Sequence, residues 1–140
     1  MSNVLIHATP EDAESAFYNA IAQRNLNALM NVWAEDEEIV CIHPTGAHLV
    51  GFAAIQASWR GILGGAKMEI RRQRVARWNG MLICVHHLIE NLYANKEVGG
   101  PIQVTHIYLR GPHGWRLTCR HASPGANPML KPGKMHRVLH

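Results

Sequence analysis

The sequence predicts an α+β fold in which three N-terminal helices pack on a curved, mainly antiparallel sheet. Two observations carry this prediction. Apolar residues recur at helical spacing in the first half of the chain, and β-type runs separated by tight turns fill the second half. Helices followed by a long meander are typical of domains in which the sheet wraps around the helices.

Three helices are predicted. Thr9 can cap the first helix, and Pro10 suits the first helical position. Asn27 is predicted to cap a short second helix, and Gly64 followed by Gly65 ends the third. Because residues three or four positions apart share a helical face, each helix has a predicted core face. The predicted core residues are Ala13, Ala16, Phe17, Ala20 and Ile21, then Leu26, Leu29, Met30 and Trp33, then Phe52, Ile55, Trp59, Ile62 and Leu63.

Short β-type runs and turn sequences predict the strands. A strand at residues 39–42 is followed by a turn and a hairpin arm at 47–50. The turns Asn79-Gly80, 99–101 and 111–114 separate the later strands, and Asn-Gly is a strong hairpin signal. Tight turns join antiparallel neighbours, so these strands form a predicted meander. Its four members are predicted at residues 67–78, 81–95, 102–110 and 115–123.

The composition is that of one globular domain of 140 residues. Apolar residues make up 47% of the chain and charged residues 17%. The domain is predicted to cover residues 1–124, and the Pro- and Gly-containing residues 125–140 are predicted to form a loosely ordered tail. No secretory leader is visible and no apolar run reaches the ~18 residues of a membrane span, so no membrane partner is expected.

The cysteines and the basic residues narrow the expected location and partners. Three widely spaced cysteines in apolar segments indicate reduced thiols and a cytoplasmic protein. The most basic stretch, residues 71–77, lacks interleaved aromatic residues. It therefore predicts a strand that faces solvent or a partner subunit, and no nucleic-acid binding. No cofactor motif is present, so no cofactor is predicted.

Several strings occur in an order that resembles one protein superfamily. They are ALMNVWAED at 28–36, IHPTG at 42–46, LVGFAAI at 49–55 followed by Ser58-Trp59, and GWRL at 114–117 with HASP at 121–124. Together they resemble the nuclear transport factor 2-like superfamily, in particular its SnoaL-like and ketosteroid-isomerase-related branch. The resemblance implies a cone-shaped fold, an interior pocket for a small apolar organic ligand, and a homodimer formed through the sheet.

The resemblance also implies a catalytic position. In ketosteroid isomerases the general base is a carboxylate just before the proline of the first strand and turn, and His43 stands there in this chain. A first-helix tyrosine and an acid on the third meander strand form their oxyanion hole. The matching residues here are Phe17 and Thr105, while Tyr18 is offset by about 100° around the helix. The oxyanion donors are therefore predicted to be absent, and Thr105 remains a candidate ligand contact.

His43 and His121 are the first candidate site residues. A histidine accepts a proton near neutral pH, so His43 can serve as a catalytic base or contact a ligand. Alternatively, His43 hydrogen-bonds a backbone carbonyl at the mouth of the cone. His121 is in phase with Leu117, a predicted core residue, and is therefore expected to face inward and contact a ligand or a polar side chain.

Trp59, His86 and Glu90 complete the candidate ligand-binding set. Trp59 lies in the middle of the apolar face of the third helix, where it packs in the core or forms a pocket wall. His86 and Glu90 share one face of the second meander strand. An inward face would let them form a pair, whereas an outward face would place Glu90 against solvent or a partner, and the pattern leaves both open.

A zinc site is a further possibility. Cys41 and His43 are two residues apart, as are Cys119 and His121, so neighbouring strands could present four ligands. The compact spacings of zinc modules are absent, however, and no metal is predicted. Two functions then remain. One is a proton-transfer enzyme of the isomerase, cyclase or dehydratase type with His43 as its base. The other is a non-catalytic module that binds a ligand or a protein.

Overall fold

The structure, a computed structural model, describes residues 5–94 and 97–125. The elements follow the predicted order. They are α1 (Pro10–Ala22), α2 (Leu26–Met30), β1 (Val40–Ile42), β2 (His48–Val50), α3 (Phe52–Gly64), β3 (Glu69–Asn79), β4 (Ile83–Ala94), β5 (Glu97–Gly111) and β6 (Gly114–Pro124). The predicted tail lies outside the described residues beyond Gly125. No helix within the described ranges is long and apolar enough to cross a membrane.

The six strands form one sheet in the order β2-β1-β6-β5-β4-β3. All neighbouring strands are antiparallel except β1 and β6, which run parallel. The sheet curves around the three helices, and the apolar core lies between them and its concave face. The predicted α+β fold, with three helices on a curved and mainly antiparallel sheet, is confirmed.

The helix starts show how local sequence sets the boundaries. Thr9 caps α1 as predicted, because its Oγ1 accepts a hydrogen bond from the Asp12 amide at 3.0 Å. The predicted cap of α2 is wrong. Asn25 caps this helix with its Oδ1, which accepts from the Ala28 amide at 3.0 Å, and Asn27 lies inside the first turn.

The third long strand begins earlier than predicted. Residues 99–101 lie inside β5, so the turn predicted there is wrong. Gly100 has a φ of +107°, and a Cβ at this position would lie 3.0 Å from the Glu90 carbonyl oxygen. The pairing of β4 with β5 shifts between Glu90 and Leu92, and this shift accommodates one extra residue in β5. Glycine and proline mark bulges as well as turns, and here they mark a bulge.

A second irregularity decides which side chains of β6 enter the core. A register shift in the β5–β6 ladder makes Thr118 an extra residue in β6. Leu117 and Arg120 therefore both face the core although they are three residues apart. Beyond Thr118 the alternation of inward and outward side chains is inverted. The side chain of His121 is exposed, so the prediction that it faces inward is wrong.

Candidate functional site

A small cavity lies between α3 and the concave face of the sheet. Its volume is about 90 Å³. Three predicted site residues, His43, Trp59 and Glu90, line it together with Arg120. The cavity therefore has a polar side made of an imidazole, a carboxylate and a guanidinium. The remaining lining is apolar and consists of Pro44, Ile62, Met68, Ile70, Leu92 and Ile102.

His43 reaches this cavity because it directly follows β1 and begins a turn. Its Nε2 lies 2.9 Å from the Ser58 Oγ on α3, and its ring meets the Trp59 ring edge-on at a centroid distance of 5.4 Å. Burial, and then the charge of Arg120, lower the pKa of His43 below its usual 6.5. The imidazole is therefore neutral at pH 7, which is the form that accepts a proton.

Glu90 and Arg120 form an ion pair beside His43. The Arg120 guanidinium donates to both Glu90 oxygens, at 2.7 and 3.0 Å, and the two side chains are 1% and 4% exposed. Burial alone would raise the pKa of Glu90, but the charge and hydrogen bonds of Arg120 lower it overall. The carboxylate therefore stays ionised in the interior. The open question of strand orientation is settled, because Glu90 and His86 both face inward.

Tyr18 belongs to the same network. Its hydroxyl donates to Glu90 Oε2 at 2.5 Å, and its side chain is 4% exposed. Burial and the charge of Glu90 raise its pKa well above 10, so the hydroxyl keeps its proton. Tyr18 is therefore buried although it stands one position from the family tyrosine, and its hydroxyl is bound by Glu90. Because α1 lies inside the curved sheet, its buried arc is wide enough to include both Phe17 and Tyr18.

His106, and not Thr105, is the inward-facing residue of β5 at this level. His106 Nε2 accepts from Arg120 at 3.0 Å, so its Nδ1 carries the proton and donates to the Tyr108 hydroxyl at 2.8 Å. Burial lowers the pKa of His106 well below 6.5. Thr105 lies on the outer face, paired with His87, so its predicted place in the pocket is wrong by one residue.

A second buried cluster surrounds Glu14 on α1. His86 Nδ1 lies 2.8 Å from this carboxylate, and Arg72 and Arg74 donate to it at 3.1 Å each. Burial raises the pKa of Glu14, but these three partners outweigh it and lower the pKa to about 2. The possible His86–Glu90 pair is therefore not formed. Two arginines of the basic strand also point inward, although the sequence predicted a strand facing solvent or a partner.

The two Cys–His pairs do not converge. Cys41 and His43 face the interior, whereas Cys119 and His121 lie on the opposite face of the sheet, because Cys41 is in register with Arg120. Burial raises the pKa of Cys41 to about 11, so its thiol is protonated. No group of three or more histidine, cysteine, aspartate or glutamate side chains is placed to hold a metal ion within residues 5–94 and 97–125.

Sequence reasoning missed Glu14, Tyr18, His106 and Arg120. One signal in the sequence could have found Arg120. Glu90 on β4 and Arg120 on β6 are charged residues of opposite sign in otherwise apolar strands, and such residues are buried mainly as pairs. The inward direction of Arg120 depends on the extra residue Thr118, which alternation alone does not reveal.

A larger groove, of about 860 Å³, lies at the opposite end of β6, beside the turn between β5 and β6. None of the predicted site residues lines it. Its charged lining residues are Glu35, Asp36, Arg110 and Arg116, and His113 also lines it. The candidate site is therefore defined by its converging polar groups and not by volume.

The SnoaL-like domain model matches residues 11–127 of the sequence. The chain belongs to the SnoaL-like family. This match covers the helices, the whole sheet and the cavity, so the resemblance seen in the local strings is confirmed. No curated protein sequence matches this SnoaL-like chain.

Solved structures of similar proteins agree with this assignment. A Thiobacillus denitrificans protein, provisionally assigned as a calcium/calmodulin-dependent protein kinase type II association domain, is 36% identical with a TM-score of 0.81. The match covers 89% of the SnoaL-like chain and all of that protein.

Two more distant structures show the fold alone. A Streptomyces avermitilis protein of the NTF2-like family, provisionally assigned as a dehydratase, is 23% identical over 81% of this chain and 91% of its own, with a TM-score of 0.73. A Parabacteroides distasonis protein, provisionally assigned as a ketosteroid isomerase, is 19% identical over 92% and 96%, with a TM-score of 0.69. The nuclear transport factor 2-like fold is thus shown.

Proposed function

We propose that this SnoaL-like protein binds a small, largely apolar organic molecule in the cavity beneath α3 and transfers a proton on it, with His43 as the general base. The observation that carries the proposal is that the neutral imidazole of His43 and the Glu90–Arg120 pair line the same cavity. Negative charge develops on a substrate as a base removes its proton, and a fixed cation stabilises that charge. Isomerase, cyclase and dehydratase reactions share this step.

A free donor of Arg120 supports an anionic intermediate. Arg120 and Glu90 are the two fixed charges in the described cavity lining, whereas Arg72 and Arg74 are 28% and 31% exposed and pair with Glu14 outside that lining. Arg120 is 3% exposed, and its Nε has no hydrogen-bond partner among the described residues. A buried donor of this kind gains free energy from an acceptor on a ligand.

The size of the cavity limits how a ligand enters. Ligand sites commonly measure about 300–1,000 Å³, several times the volume here. We therefore propose that only the reacting end of the ligand reaches His43, while its apolar part lies against Met68 and Ile62 at the cavity edge. Both side chains are partly buried, and the unbranched chain of Met68 adapts readily to different shapes.

The test separates binding from turnover. Wild type, His43→Ala and His121→Ala are each incubated with an extract of small metabolites, and bound species and new products are measured by mass spectrometry. We expect His43→Ala to keep the bound species and lose the products. His121→Ala should match wild type, because its side chain is exposed outside the cavity. Unchanged product formation by His43→Ala would refute the catalytic role. An equal loss of bound species and products would show that His43 only contacts the ligand.

A second candidate function is association between copies of this chain through the outer face of the sheet. The 36% identical Thiobacillus denitrificans protein is provisionally assigned as an association domain, which favours this function. Val85, Ile89 and Ile107 are half-buried on that face, beside Thr105. Light scattering should show a homodimer that Thr105→Glu converts to monomers, and a monomeric wild type would contradict this candidate.

We also propose a cytoplasmic location. Cys41, Cys84 and Cys119 are all free. Free cysteines support a reducing compartment such as the cytoplasm. Recovery of the protein with the membrane or the secreted fraction of its cells would contradict this location.

A further inference from the structure

The end of the domain opposite the cavity collects exposed apolar side chains. The β3–β4 turn, the β5–β6 turn and the residues before the His7–Gly114 bridge meet there. We call this set the hairpin end; its members are Leu5, Ile6, Trp78, Met81, Leu82, Ile83 and Leu109. Within the described part of the chain, the remaining large apolar side chains with high exposure are Val50 and Val75.

The hairpin end is one surface and not a set of isolated residues. Ile83 is in register with Leu109 across β4 and β5, and the Arg110 amide donates to the Leu82 carbonyl. Met81 is 86% exposed and Leu82 is 62% exposed. Single exposed apolar residues are ordinary, but a contiguous group of this kind marks an interaction surface.

Charges of both signs lie beside the apolar residues. The 860 Å³ groove at this end is lined by Arg110, Glu35 and Asp36 among other residues. None of these three side chains forms an ion pair with another residue of the described ranges. A surface that carries an apolar centre and both signs of charge is complementary to itself.

We propose that the hairpin end binds a second copy of this chain in a two-fold symmetric contact. The apolar residues form its centre, and Arg110 of each copy lies against Glu35 and Asp36 of the other. A two-fold contact places the same patch on both partners, so it needs a self-complementary surface. The four exposed acidic residues 35–38 disfavour an anionic membrane as the occupant. This contact goes beyond the proposed function, because it involves neither the cavity nor the middle of the outer face.

The first test compares molar masses by light scattering for wild type and three variants. Met81→Glu with Leu82→Glu should lower the molar mass at least two-fold. Val50→Glu, an exposed site elsewhere, is the matched control and should leave the mass unchanged. Thr105→Glu reports separately on the outer face. An unchanged mass for the Met81/Leu82 variant, or a monomeric wild type, would overturn the proposal without bearing on ligand binding in the cavity.

The second test uses charge exchange. Arg110→Glu alone, and Glu35→Arg with Asp36→Arg alone, should each lower the molar mass, since like charges then face each other. Mixing the two variants in equal amounts should restore it, because both contacts of the mixed pair join opposite charges. All three substitutions lie on exposed side chains, and circular dichroism verifies folding. Two species that stay separate after mixing would overturn the symmetric contact.

Discussion

Arg120 on β6 and Glu90 on β4 form a bidentate ion pair across the intervening strand β5, with N···O distances of 2.7 and 3.0 Å. Both residues line the cavity, and Glu90 Oε2 also accepts a hydrogen bond from the hydroxyl of Tyr18 on α1. One interaction therefore joins the sheet to the first helix and supplies the only fixed opposite charges in the described lining of the cavity. Stability and the proposed chemistry depend on the same two residues.

Breaking this pair should destabilise the protein strongly. Glu90→Gln leaves the Arg120 guanidinium buried beside a neutral amide, and loss of one partner of a buried pair costs about 3–5 kcal/mol. Urea unfolding of wild type and Glu90→Gln measures the change. The double variant Glu90→Met with Arg120→Met removes both charges and should lose less than the sum of the two single Met variants. Additive losses would contradict the coupling.

Acid should weaken the fold through Glu14. The pKa of Glu14 is about 2 in the folded state, below its ordinary 4.5, so the folded state favours its ionised form. The resulting stabilisation is complete above the ordinary value and is lost as the pH falls towards about 2. The free energy of unfolding of wild type should therefore exceed that of Glu14→Gln at pH 7, and the difference should shrink through this window. A difference independent of pH would contradict the assignment.

Gly100 should tolerate no side chain. Its φ of +107° and the 3.0 Å distance from a Cβ to the Glu90 carbonyl oxygen predict that Gly100→Ala destabilises the protein by about 1–3 kcal/mol. Gly111→Ala is the matched control, since no atom lies within 4 Å of a Cβ there. Thermal unfolding measures both. Equal midpoints for the two variants would show that the bulge accepts alanine.

His43 should titrate below its usual pKa. Burial and the nearby Arg120 charge both disfavour the imidazolium, so its ring resonances should shift with a midpoint below pH 6.5 in an NMR titration. His43→Ala assigns the signal. Ser58→Ala should alter the ring tautomer or orientation, because Ser58 Oγ lies 2.9 Å from Nε2. A midpoint at or above 6.5 would remove the argument for a neutral base.

The sequence predicted the fold better than the site, for a physical reason. Helical periodicity and turn sequences are local, and they correctly gave the order of α1 to β6. The direction of a side chain in a strand depends on its position in the alternation. One extra residue, Thr118, reverses the directions of Arg120 and His121, and the prediction for His121 was therefore wrong. His43 was found because the family resemblance implies a base just before the proline of the first turn, and Trp59 was found because helical spacing places it on the apolar face of α3.

The partners of Glu90 could not be read from local pattern. Tyr18 reaches this carboxylate because α1 is enclosed by the curved sheet, and such enclosure is a property of the assembled fold. Tyr18 is offset by one residue from the family position, yet its hydroxyl still lies in the interior of the fold. Likewise, His106 lies one residue from the predicted Thr105, and strand phase alone separates them.

The most direct test of the central proposal is native mass spectrometry of wild type and Leu92→Trp after incubation with a metabolite extract. Leu92 lines the cavity, and tryptophan there should fill much of its volume of about 90 Å³. We predict a small organic molecule bound to wild type and absent from Leu92→Trp. The same bound mass on both proteins, or none on wild type, would contradict a ligand in the cavity beneath α3.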